Sequence, residues 1–167
     1  MATFVTITPE EMTEDVFTAI GKEWMLIAVG DEDKHNMMTA SWGGFGVLWN
    51  KKVSTIYVRP SRYTYDFLEN GKTYALCFFD EAYRDKLTYC GRHSGRDGDK
   101  CAATGLTPCF DKAAPYFEEA SMVVFCNTLY KQDMDPACFL DPAIEGNYNG
   151  ADYHRMYIGE ITEVMKK

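Results

Sequence analysis

Six runs rich in apolar, β-branched or aromatic residues punctuate the chain, and no regular strand–helix alternation links them. Residues 24–29 (WMLIAV) form an unbroken apolar run closed by Gly30-Asp31-Glu32-Asp33, the pattern of a buried strand and its turn. Residues 37–41 can pair back on it as a hairpin. Residues 53–59 (VSTIYVR) are β-branched and aromatic, and Pro60 ends them. Residues 73–79 and 121–130 read as further strands. Residues 153–165 alternate around Met156, Ile158, Ile161 and Val164, with Gly159 as the expected bulge. Short helices are expected between them. One starts at Thr8-Pro9-Glu10-Glu11 and runs to Gly21. A second spans 63–70 before Gly71. A third places Tyr83, Leu87 and Cys90 at helical spacing, and a last turn follows near Lys100. Residues 42–49 read as a glycine-broken aromatic loop, and 132–152 as a Pro- and Asp-rich excursion. Strands without alternating helices predict a mainly β fold, an antiparallel barrel or sandwich. A length of 167 residues fits a single domain over 1–167.

Composition narrows the function classes. The formal net charge of -8 argues against an extended nucleic-acid face, because phosphate backbones recruit basic surfaces. No apolar run approaches the roughly 20 residues of a membrane-crossing helix. The amino-terminal residues lack the basic start and apolar stretch of a secretory signal, so a cytoplasmic location is expected. Of the six cysteines none forms a C-x-x-C pair, and no histidine spacing suggests zinc. Free thiols are expected in that setting.

Three constellations could hold a ligand. Arg59-Pro60-Ser61-Arg62-Tyr63-Thr64 sets two guanidiniums and two hydroxyls at a strand-to-helix junction, where free N–H groups favour a phosphate. Two surface arginines paired with Asp66 or Glu69 would explain the same residues, and residue chemistry leaves both accounts open. Ser94-Gly95-Arg96-Asp97-Gly98-Asp99-Lys100 could close over the same anion, or be a solvated loop; it is not a Walker motif. Trp42, Phe45, Trp49, Tyr63 and Phe79 could border a flat ligand, or be core and a dimer seam. No hydrolytic set stands out. Ser41 or Ser94 with His154, and a Cys90 thiol beside Arg92 and His93, have nothing further in their favour. No G-x-G-x-x-G follows a strand, so a Rossmann-type site is not expected.

Several motifs in the same order resemble the flavin reductase-like, flavoredoxin-type family. They are Trp24-Met25-Leu26-Ile27, Asn36-x-Met38-Thr39-Ala40-Ser41-Trp42-Gly43, Val58-Arg59-Pro60-x-Arg62-Tyr63-Thr64, Cys90-Gly91-x-x-Ser94-Gly95-Arg96-Asp97-x-Asp99-Lys100, and the closing stretch 152–161. One departure is Lys52, where the family usually carries proline. The resemblance implies an FMN-binding split β-barrel that works as a homodimer. It places Asn36, Met38, Thr39, Ala40 and Ser41 along the edge of the flavin ring, largely through backbone groups. It places Arg59, Arg62, Tyr63 and Thr64 at the ribityl-phosphate end. It has Cys90, Ser94, Gly95 and Lys100 close the pocket. Redox chemistry would then belong to the cofactor, with no catalytic side chain required. NADH, NADPH or a redox partner protein would supply electrons. A flavoredoxin-like electron carrier, and a protein that merely stores flavin or haem, are the competing expectations.

Overall fold

The computed structural model describes residues 3–167; Met1 and Ala2 lie outside it. Its strands are β1 (Val5–Ile7), β2 (Met25–Gly30), β3 (His35–Ala40), β4 (Gly43–Leu48), β5 (Lys51–Val58), β6 (Thr73–Phe78), β7 (Pro108–Cys109), β8 (Tyr116–Phe117), β9 (Met122–Asp133) and β10 (Arg155–Lys166). The α-helices are α1 (Val16–Thr18), α2 (Tyr63–Asn70), α3 (Arg84–Arg92) and α4 (Lys100–Thr104). Eight strands form one antiparallel sheet in the order β3-β2-β6-β9-β10-β5-β4, with β1 also on β10.

Strand β10 makes the sheet curl. Its first half, Arg155–Glu160, pairs with β5, and its last residues, 164–166, pair with β1. Its whole length pairs with β9 through two register shifts, at Ile158/Gly159 and Ile161/Glu163. Such bulges bend a strand, so the two halves can serve different neighbours. Gly159 stands at the expected bulge for a packing reason as well. A Cβ there would lie 2.3 Å from the Tyr74 hydroxyl, which is buried and 2.6 Å from Ser54 Oγ.

The core lies on both faces of the central strands. Ile27, Val29, Tyr74, Leu76 and Val124 pack with Ile56 and Tyr157 inside the curl. Leu26, Ala28, Ala75, Cys77 and Val123 pack outward beneath Leu87, Leu106 and Phe117. Burial on both faces explains why residues 24–29 show no polar alternation.

Four features depart from the sequence expectations. Residues 43–48 are strand β4, not a loop. The β4–β5 turn has Trp49 at φ 52° and Asn50 at φ 57°. Two consecutive positive φ values match the twist of a tight hairpin. The amino-terminal helix is broken: Glu11 reaches back to the Thr8 N–H at 2.7 Å, but the turn ends at Met12. A new start capped by Asp15 leads into a wide helical turn, Ala19–Glu23. Strand β9 runs on to Asp133, where Arg155 grips it with two bonds, 2.6 Å and 2.8 Å long. The small β7–β8 hairpin was not expected. All six cysteines are free thiols. Among the described residues no helix is long and apolar enough to cross a membrane.

The topology leaves β3 at the sheet edge, with β2 on one side only. Helix α3 packs across it, and Thr39 Oγ1 donates to the Leu87 carbonyl at 2.5 Å. Helix α2 starts at Tyr63, just after β5 and its Pro60 turn. These elements frame the cleft described next.

Candidate functional site

In an antiparallel pair the backbone groups of alternate residues point away from the partner strand. The Met37 carbonyl points outward from β3, because Lys100 Nζ donates to it at 2.7 Å. Alternation puts the backbone groups of Thr39 and Ser41 on that same free edge. Four cavities lie along this edge and the elements beside it; one of about 330 Å³, at residues 35–37, also takes in Glu32, Asp33, Asp99 and Lys100, and the other three frame the cleft. The first, about 140 Å³, is lined by Asn36, Met38, Thr64, Ser94, Gly95 and Lys100, with Ser61, Arg62, Tyr63, Arg92 and His93. The second, about 230 Å³, is lined by Met38, Thr39, Ala40 and Ser41, with Trp42, Tyr57, Arg59, Arg62 and His154. The third, about 200 Å³, lies across Thr39 and Ser41 against Trp24, Leu87, Gly91 and Arg92. Met38 and Arg62 belong to the first two cavities, so an elongated ligand can reach from one to the other.

The first cavity has the electrostatics of an anion site. Lys100 is only 5% exposed. Its ammonium donates to the carbonyls of Met37 and Cys90, the latter at 2.9 Å, and meets no carboxylate. Burial, with Arg62 adding repulsion, lowers its pKa to about 8. Arg62 donates to the Gly91 carbonyl at 3.0 Å, and burial lowers its pKa too. The acids nearest in sequence are already engaged. Asp66 is held by Arg96 at 2.6 Å. Glu69 is held by Lys131 at 2.5 Å and by Arg155 at 3.0 Å. Lys100 and Arg62, with the exposed Arg92 at the rim, thus share a cavity whose lining holds no carboxylate, which is unfavourable for the buried Lys100 and the part-buried Arg62 unless an anion joins them.

Neutral donors complete that cavity. Thr64 is fully buried, and its Oγ1 accepts from Asn36 Nδ2 at 2.9 Å, which leaves its own O–H free to donate. Arg62, the N-cap of α2, offers no side-chain cap; the Tyr65 N–H bonds the Arg62 carbonyl at 3.0 Å, so the Tyr63 and Thr64 amides stay available. Gly95 is needed for the close approach: a Cβ there would lie 2.1 Å from Asn36 Oδ1. Ser94 Oγ accepts from the Arg96 N–H at 3.2 Å, which sets the turn that presents Gly95.

The two junction arginines separate. Arg59 lines the second cavity and does not reach the first. Its guanidinium donates to the carbonyls of Asn147 (2.7 Å) and Asp152 (3.3 Å) and stacks 4.9 Å above the Tyr148 ring. Asp152 in turn accepts from the Ser61 N–H at 3.0 Å and from its hydroxyl at 2.6 Å. The 134–152 excursion is therefore pinned to the β5–α2 turn. Cys90 is fully buried, lines none of the three cavities, and has its thiol pKa raised by burial. Its backbone carbonyl, not its sulfur, serves the site through Lys100.

Sequence reasoning named Arg92, His154, Trp42 and Trp24 but did not place them among the cofactor-binding residues. His154 sits in the second cavity, 5.1 Å from the Trp42 ring, with Nδ1 2.9 Å from the Tyr148 hydroxyl. Burial, then Arg59, lowers its pKa to about 4, so it is neutral at ordinary pH. Its position in the closing motif at 152–161 was the available signal. Trp24 opens the first family motif, and Arg92 was noted only as a cation beside Cys90. Among the described residues no group of His, Cys, Asp and Glu could hold a metal ion.

Comparison with known proteins agrees with this architecture. Solved structures share it at low sequence identity. Flavoredoxin of Desulfovibrio vulgaris (Miyazaki F) superposes with a TM-score of 0.67 at 22% identity, over 96% of this chain and 77% of its own. An FMN-binding domain of a flavin reductases-like enzyme from Shewanella baltica gives 0.70 at 13% identity, over 98% and 77%. A Shewanella frigidimarina chain described as having a split barrel domain gives 0.67 at 19% identity, over 89% and 71%. These likenesses establish a split-barrel fold. No curated protein sequence matches the chain closely enough to count as a relative. The sequence model described as flavin reductase like domain matches residues 17–167, nearly the whole chain, and the chain belongs to that family.

Proposed function

We propose that the first two cavities together bind FMN, and that the chain is an FMN-dependent oxidoreductase of the flavin reductase type. The observation that carries this reading is the pair Arg62 and Lys100, two part-buried or buried cations that share a cavity and meet only neutral oxygens. An FMN phosphate supplies the missing negative charge. Asn36, Thr64 and the first amides of α2 supply further donors, and Gly95 lets the loop close over them. The ring end falls to the second cavity, where the free edge of β3 at Thr39 and Ser41 offers both N–H donors and carbonyl acceptors. Trp42 and Met38 flank it with apolar surface. The residues present fit the group. Bound FMN would supply hydride and electron transfer, and the chain contributes binding, orientation and charge.

A homodimer is part of the proposal. Val47 is 78% exposed and Trp49 53%, and the Trp49 ring lies 6.1 Å from that of the exposed Tyr130 on β9. An apolar face of this kind on strand edges commonly marks a protein interface. NADH or NADPH is the proposed electron donor, in a reducing cytoplasmic setting that suits six free thiols. The net charge of -8 would also suit docking to a basic redox partner, which is the electron-carrier alternative.

One experiment tests the reading in stages. The purified protein is mixed with FMN and its visible spectrum recorded, then NADH and NADPH are titrated in without oxygen. Flavin bands that shift on mixing and bleach with a nicotinamide support the oxidoreductase. Bound flavin that neither nicotinamide bleaches favours the carrier. No bound flavin refutes both.

A further inference from the structure

The third cavity shares Thr39 and Ser41 with the proposed ring end, and one of its side chains is set there at a cost. Trp24 has φ 71° and ψ 168°. That region of the backbone map is essentially glycine's, and a bulky residue in it is strained. Glycine would take the same backbone path without strain; the indole is partly buried and also packs against the outer core. Arg84 of α3 holds the strained residue in place. It donates to the carbonyls of Lys22 (2.5 Å) and Glu23 (3.1 Å), and its guanidinium lies 3.2 Å from the Trp24 ring centroid. One face of the indole is thereby covered and its orientation fixed, while the ring still borders the cavity.

Arg92, which is exposed to solvent, is the cavity's charged side chain. It is the last residue of α3 and lines both this cavity and the cation cavity. Among the described residues its guanidinium makes no hydrogen bond and no ion pair, although acids outnumber bases in the chain by 25 to 17. A free guanidinium fork matches a carboxylate geometrically. The volume limits the rest of the ligand. A cavity of about 150 Å³ accommodates benzene, so about 200 Å³ suits one ring with a small substituent and is far too small for a dinucleotide.

We propose that this cavity is a second-ligand site for a flat, single-ring carboxylate, stacked against Trp24 with its carboxylate on Arg92. Thr39 and Ser41 separate it from the proposed flavin ring, so the ligand lies beside the ring end of the cleft. That adjacency rests on the FMN reading; the binding itself does not.

The test uses calorimetric titration of the full chain at saturating FMN with three probes. Benzoate has ring and charge, benzamide the ring alone, cyclohexanecarboxylate the charge without a flat ring. Benzoate is expected to bind tightest of the three without displacing FMN. Arg92→Gln removes no internal bond, so the fold is retained, and it should weaken benzoate about tenfold while leaving benzamide unchanged. Trp24→Leu should weaken benzoate and benzamide together and cyclohexanecarboxylate little. The proposal is overturned if benzoate does not bind, if it binds Arg92→Gln as tightly as the parent, if cyclohexanecarboxylate matches it, or if it expels FMN. Should FMN itself never bind, the flavin reading fails on the visible spectrum, and the same titrations without flavin still decide the roles of Arg92 and Trp24.

Discussion

Arg62→Gln is the most direct probe of the anion cavity. Arg62 spends one arm of its fork on the Gly91 carbonyl at 3.0 Å, which leaves the other for a ligand. One charge-assisted hydrogen bond contributes about 1.5–3 kcal/mol, so the variant should bind FMN roughly ten- to a hundredfold more weakly. Riboflavin, which lacks the phosphate, should lose much less. A second signature comes from Lys100. Its pKa, lowered from 10.5 to about 8, means that the free protein loses this charge as pH rises through 8. A bound phosphate favours the charged form. Affinity is therefore complete below about pH 8 and should fall about tenfold for each unit above it. Arg62 is one cause of the lowered value, so in Arg62→Gln the decline should begin at higher pH. The assay is quenching of flavin fluorescence by the protein, with FMN and riboflavin in parallel, from about pH 7 to about pH 9.5. Equal losses for the two ligands would refute the phosphate assignment. A pH profile unmoved by Arg62→Gln would refute the coupling of the two cations.

Three further perturbations probe neighbouring claims. Ser94→Asp places a carboxylate beside Lys100 and Arg62; it should raise the melting temperature of the flavin-free protein by a few degrees, roughly 1 kcal/mol, and sharply weaken FMN in the same quenching assay. His154 is held neutral, its pKa lowered to about 4, so its contribution to stability is full above the unfolded value of 6.5 and is lost as pH falls toward 4. Urea denaturation of His154→Gln should show a shallower acid decline than the parent, and parallel declines would remove His154 from the account. Gly159→Ala forces a methyl against the Tyr74 hydroxyl at the β10 bulge and should cost about 1–3 kcal/mol by urea denaturation, where an unchanged midpoint would show that the bulge has slack.

What the sequence disclosed follows physical lines. Residues 63–70 were readable as α2 to both ends, because Pro60 stops β5 and Gly71 stops the helix. Residues 24–29, 73–79 and 121–130 were readable as strands because their apolar runs are long and bounded. Strand β4 was not, since glycines and exposed aromatics hide its period, and its pairing depends on the Trp49–Asn50 turn. The site was partly readable. The motifs marked Asn36, Thr64, Gly95 and Lys100, which do come together. They did not separate Arg59 from Arg62, because the turn at Pro60, closed by the Arg62 N–H on the Arg59 carbonyl at 3.0 Å, decides which cavity each arginine faces. The strain at Trp24 was invisible, because a positive φ leaves no mark in composition or spacing.

The charge balance gives the cation pair its weight. In a basic protein two unpaired cations could reflect a shortage of acids. Here acids are in excess, 25 against 17, yet Lys100 and Arg62 hydrogen-bond only to backbone carbonyls. Asp66 goes to Arg96, Glu69 to Lys131 and Arg155, and Asp152 to Ser61. None of these three carboxylates lines the cavity that Lys100 shares with Arg62. The arrangement keeps Lys100 and Arg62 uncompensated at a cost in stability that a structural ion pair would have removed. A fold that bears such a cost in an acidic chain is arranged for a negative charge that arrives from outside.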